Sequence, residues 1–126
     1  MRTSPLTVSV NAGKGGGGSL SRVSAMAEEY TWVALMHTKR PDVTGSPFDD
    51  ERFPLHVAFL RRMLEEGLLV AAGPLGDMLG EGMAVLRLPG ADRVEEARRL
   101  AESDESVVRG LFEVRVRPWN VVMTRM

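Results

Sequence analysis

Cysteine is absent from the chain. No disulfide framework can staple the fold, and no thiolate can act as nucleophile or metal ligand. Histidine is nearly absent: His37 and His56 are the only two. That count rules out a His-rich metal site. No apolar run approaches the ~18 residues a membrane-spanning helix needs, so no membrane partner is expected. Charge of either sign is not in excess, with 16 bases against 17 acids and a net charge of −1. Nothing in that balance draws the chain to nucleic acid. RNA binding on an open sheet would also need exposed aromatics on the central strands. Only Trp32 and Phe112 are available, and no basic patch surrounds them. The lack of cysteine leaves the redox compartment open; a cytoplasmic protein with a small-molecule partner is the expectation.

The 126 residues suit one domain, and 44% apolar residues suffice for a globular core. Residues 1–29 differ in composition: rich in Gly and Ser, with no acid before Glu28. Gly13-Lys14-Gly15-Gly16-Gly17-Gly18 matches G-x-G-x-x-G. That fingerprint needs a strand before it and a helix after it, and Ser19-Leu20-Ser21-Arg22 is a poor helix start. The segment is read as a flexible tail, with Met26 as an alternative start. The folded domain is then 30–126.

Thr31–His37 is apolar on both alternating faces, as in a central strand covered on both sides. Pro41, Gly45 and Pro47 mark a loop. Proline is tolerated only in the first helical turn, so Pro54 fixes a helix start between Asp50 and Pro54. Leu55, His56, Phe59, Leu60, Met63 and Leu64 form its inward stripe, and Gly67 is its left-handed stop. Leu68–Gly73 and Gly82–Leu88 are strands joined by the loop 74–81. Asp92 and Glu95 suggest a capping box for a helix to about Glu102. Asp104–Gly110 is a turn or short helix. Leu111–Arg117 alternates as a strand, with Phe112, Val114 and Val116 inward, and 121–123 suggests a short extra strand.

The order is β-α-β-β-α-β, an α+β, ferredoxin-like arrangement with a four-stranded antiparallel sheet. Both helices then cover one sheet face. The other has no cover within the chain, although the first two strands are apolar on both sides. A bare apolar face of that size marks an interface, so a homodimer packed sheet to sheet, a dimeric α+β barrel, is expected.

Chain geometry also brings distant residues to one rim. From His56 to Gly67 the helix descends about 16 Å, and Leu68–Gly73 climbs back about 20 Å. Asp77, four residues on, returns to the level of His56. His37 ends the first strand at the same end, and Asp104 leads into the last. Gly73 and Gly76 let backbone approach a ligand. A neutral imidazole with a carboxylate on its other nitrogen suits proton transfer near neutral pH. His56 and Asp77 are therefore the candidate catalytic pair. His37, Phe59, Leu60, Gly73, Pro74, Leu75 and Asp104 are the candidate substrate-binding residues. The chemistry needs neither metal nor organic cofactor. Taken alone, a single histidine on an apolar helix face also fits a hydrogen-bonded core residue, and Asp77 also fits a carboxylate closing its own turn.

The run His56 … Gly67-Leu68-Leu69 … Ala72-Gly73-Pro74 … Asp77, then Asp104 … Val108 … Gly110 and Val116 … Pro118-Trp119, resembles the YCII-related (YciI-like) proteins over about Trp32 to Val122. The resemblance implies a dimeric α+β barrel similar to muconolactone isomerase and small cofactor-free monooxygenases. It implies an active-site His–Asp pair, here His56 and Asp77. One characterised relative type removes chloride from a hydroxylated aromatic ring. Two features depart from the family pattern: Asp104-Glu105 stands where members carry Asp-Pro, and the glycine-rich N-terminus is additional. Two functions follow as expectations. One is a cofactor-independent, isomerase- or lyase-like enzyme acting on a small cyclic or aromatic substrate. The other is a non-catalytic dimeric module for ligand binding or regulation. A carboxylate on His56 beside an open pocket would favour the first.

Overall fold

A computed structural model describes residues 29–125; the expected N-terminal tail lies outside the described residues, apart from Glu29. The elements are β1 (Tyr30–Lys39), a 3-10 turn (Pro47–Asp49), α1 (Phe53–Glu65), β2 (Leu69–Pro74), β3 (Glu81–Pro89), α2 (Val94–Glu102), α3 (Glu105–Val108) and β4 (Phe112–Pro118). The fold is the expected α+β, ferredoxin-like one. Its single sheet has the order β2-β3-β1-β4, and every neighbouring pair is antiparallel. β1 and β2 therefore run the same way with β3 between them, as a split βαβ unit requires.

Alternation along β1 sends Val33, Leu35 and His37 to the helical side, and all three are buried. Val33 and Leu35 join Ala84, Leu86 and Leu88 of β3 against Phe59 and Met63 of α1 and Ala97 and Ala101 of α2. Small alanines on α2 let it lie close to the sheet. The inward stripe of α1 is narrower than its sequence pattern: Phe59 and Met63 are buried, Leu55, His56 and Leu60 are half-buried, and Leu64 is 61% exposed. Leu64 lies one step, about 100°, round the helix from Met63, which carries it off the sheet.

Local chemistry sets the helix ends. Pro54 sits in the first turn of α1, and Asp50 holds the turn before it by accepting from the Arg52 backbone N–H and Nε, each at 2.8 Å. Gly67 ends α1 at φ +79, while Leu68 N–H returns to the Met63 carbonyl. The expected Asp92–Glu95 capping box does not form. Asp92 adopts φ +58, and Thr31 Oγ1 accepts from Arg93 N–H at 3.0 Å while donating to the Gly90 carbonyl. A hydroxyl from β1 thus replaces the local cap.

The second sheet face is not bare, as had been expected. The C-terminal segment crosses part of it: Val121 is buried against Trp32 and Val85, and Trp119 meets Trp32 edge-on with centroids 6.1 Å apart. No strand forms over 121–123. The Arg87 guanidinium lies 4.2 Å over the Tyr30 ring on the same face. β2 is an edge strand rather than a covered one, blunted by Pro74 and by a register shift between Leu69 and Ala71. Among the described residues, no helix is long and apolar enough to cross a membrane.

Candidate functional site

The strands define one end of the sheet, where β1 and β2 finish and β3 and β4 begin. His37 on β1 lies opposite Gly82 on β3 and Val114 on β4, and Gly82 lies opposite Pro74 on β2. The inward pleat aims His37 at the helices. His56 is the fourth residue of α1, over the same end, and α1 packs against α3.

α3 begins with the deciding side chain. Asp104 is fully buried, and a buried carboxylate needs partners. Its Oδ1 accepts from the Ser106 N–H at 2.8 Å and from Ser106 Oγ at 2.7 Å, capping α3. The carboxylate plane is thereby fixed and Oδ2 is left for other partners. His56 Nδ1 lies 2.7 Å from Oδ2, and His37 Nε2 lies 3.2 Å from the same oxygen. The His37 approach is close enough for an ion pair but does not meet hydrogen-bond geometry. Among the described residues, His37 Nε2 is the one buried side-chain nitrogen or oxygen without a hydrogen-bond partner. The two imidazoles sit 4.5 Å apart, centroid to centroid. The ligand-type atoms of His37, His56 and Asp104 all lie within 4.8 Å of one another, a set that could hold a metal ion.

Burial is the largest influence on Asp104 and pushes its carboxyl upward. The contacts from His37, His56 and Ser106 and the charge of His56 together outweigh it, so the group stays well below its ordinary value and is ionised. Burial chiefly pushes His37 the other way, below its ordinary 6.5, with His56 adding to the shift and Asp104 opposing it. His37 is therefore the ring held neutral.

Beside the triad is a cavity of ≈ 70 Å³. Phe48, Phe53, Phe112, Ala72 and Pro74 line it together with His37 and His56. The Phe112 ring lies 5.1 Å from His56 and 5.7 Å from His37. Gly82, across from His37, has no side chain to occupy this space; a Cβ there would meet the Gly73 carbonyl oxygen at 3.3 Å.

Residues 31–120 match the YCII-related domain. The chain belongs to the YCII-related family. No curated protein matches it.

In this YCII-related chain the expected carboxylate partner of His56 must be corrected. Asp104 meets the ring, whereas Asp77 lies exposed in the β2–β3 loop and accepts from its own Leu79 N–H at 3.3 Å. Counting rise and fall along the chain placed Asp77 at the correct end. It did not show that the Asp77 side chain turns back onto its own loop and stays exposed. Leu60, Gly73 and Pro74 line the cavity as expected. His37 does more than border it, being buried with its Nε2 3.2 Å from Asp104 Oδ2. Phe59 is a core residue of α1, Leu75 bonds to Glu81 through its backbone, and neither lines the cavity. Asp104 stands behind the rings, where it orients them. The expectation missed Phe48 and Phe53, which the 3-10 turn and the start of α1 carry over the site. Their signal was two phenylalanines flanking Pro47 and Pro54 in a stretch otherwise rich in acids.

Proposed function

We propose that this protein is a small enzyme that moves a proton on a cyclic or aromatic substrate without a cofactor, with His56 as the general acid or base and Asp104 as its orienting carboxylate. The carrying observation is the 2.7 Å contact between His56 Nδ1 and the buried Asp104 Oδ2 at the base of an aromatic cavity. With its Nδ1–H donated to Asp104, the neutral ring keeps its lone pair on Nε2. That nitrogen takes a proton from an acidic O–H or C–H of the substrate. The imidazolium formed is stabilised by the carboxylate. It then returns the proton to another carbon, completing an isomerisation, or to a departing group, completing an elimination. The phenylalanine walls exclude water and hold a flat apolar ring. Asp104 takes over the role that the sequence reading gave to Asp77. A homodimer through the remaining open sheet face, in the cytoplasm, belongs to the same reading; Met83 and the half-buried Ala34 and Met36 support it by leaving apolar surface there.

The test is deuterium exchange. Metal-free protein is incubated in heavy water with a panel of phenols, enolisable ketones and unsaturated lactones, and C–H signals are followed by NMR. Exchange in the wild type that falls at least about 100-fold in His56→Gln supports the reading. Compounds that bind in the cavity but never exchange would instead make the protein a binding module.

A further inference from the structure

We propose that His37 Nε2, His56 Nδ1 and Asp104 Oδ2 form a buried binding site for one divalent transition-metal ion of the zinc, cobalt or nickel type, behind the two rings that line the aromatic cavity. The inference goes beyond proton transfer and does not rest on it.

Two independent observations converge. His37 Nε2 is a buried nitrogen, on a residue 2% exposed, that has no hydrogen-bond partner yet lies 3.2 Å from a carboxylate oxygen. If that nitrogen carries a lone pair, it faces the lone pairs of Asp104; a cation between them removes the conflict. The second observation is spacing. Ligands bound at about 2.1 Å around one ion stand roughly 3.0 Å apart in a square or octahedral arrangement and roughly 3.4 Å apart in a tetrahedral one. Here the carboxylate oxygen is 2.7 Å from one imidazole nitrogen and 3.2 Å from the other. The three ligand atoms all lie within 4.8 Å of one another, so seating the ion takes an opening of a few tenths of an ångström between His56 and Asp104 and an adjustment of the two ring nitrogens relative to each other.

The outer contacts fit as well. The Ser106 N–H and hydroxyl both bond to Oδ1, which fixes the carboxylate and leaves Oδ2 for the ion. Two imidazoles and one carboxylate select borderline ions over calcium or magnesium, which prefer all-oxygen sets. The chain has no cysteine to compete for the ion. Two histidines are too few for a His-rich site, but the fold adds a carboxylate from 48 residues beyond His56. The ion takes the place of the proton that His56 shares with Asp104, so metal loading and the proton-transfer state are alternatives.

The experiment uses the full chain, stripped with EDTA and desalted, then titrated with cobalt chloride and followed by visible absorption. The expected result is saturable d–d absorption at one cobalt per chain, displaced by zinc chloride. His37→Gln and Asp104→Asn should each weaken binding at least about 100-fold, and the exposed-surface control Glu65→Gln should leave it unchanged. If His37→Gln does not fold, as judged by circular dichroism, His56→Gln on the more exposed ring provides the same readout. No cobalt absorption at millimolar metal, or absorption that survives both substitutions, overturns the proposal. Either result leaves the deuterium-exchange test untouched, because that test uses metal-free protein.

Discussion

Asp104 and His56 lie 48 residues apart in sequence and 2.7 Å apart in space. The carboxylate is fully buried and ionised, and it bonds both to the ring and to the N-terminus of α3. One side chain thus joins a structural cap to a chemical site. Asp104→Asn keeps the shape and removes the charge. Deuterium exchange should fall by about 100- to 10,000-fold. Urea unfolding should show a loss of about 1–3 kcal/mol. A variant with normal exchange would remove Asp104 as the orienting group.

Asp77→Ala separates the two candidate carboxylates. The Asp77 side chain is exposed and closes its own turn through a 3.3 Å contact with Leu79 N–H. The substitution should change stability by less than about 0.5 kcal/mol and leave exchange near the wild-type rate. A large loss of exchange with intact stability would restore Asp77 to the chemistry.

Acid should weaken the fold through His37. Its folded value is depressed below 6.5 by burial, so the unfolded chain binds the proton more readily. The stability contributed by the neutral ring is fully present above pH 6.5 and is lost as pH falls below that value toward the folded one. The Asp104 carboxyl is depressed too, and its contribution is lost only below its ordinary 3.8. Urea midpoints measured in EDTA should therefore decline between pH 7 and 5 in the wild type and be flatter in His37→Gln. Parallel slopes for the two proteins would contradict the buried neutral ring.

The topology was legible because periodicity carries it. The alternation in β1 and β4, Pro54 at the start of α1 and Gly67 at its end each have a local physical cause in the sequence. The site was half legible. His56 stood out as a titratable ring on an apolar face, and the counted rise and fall of the chain brought it to the correct end of the sheet. The partner carboxylate was not deducible, because two aspartates reach that end and only the packing of α3 against α1 decides between them. The Thr31 cap of α2 was hidden for the same reason: its hydroxyl comes from 62 residues away. The cover on the second sheet face was missed because 121–123 has the pattern of a strand, while in the fold Val121 packs as a single anchor.

That anchor provides the last test. Val121 is 5% exposed and lies against Trp32, itself 7% exposed. Truncation to alanine removes two methyl groups from this contact, which should cost about 1–2 kcal/mol. Trp32 and Trp119 are the only tryptophans, so a Trp119→Phe background isolates the emission of Trp32. In that background Val121→Ala should shift the emission to longer wavelength as water reaches the ring. Unchanged emission and stability would mean that the C-terminal segment does not seat on the sheet in solution. The open apolar face of the sheet would then be larger.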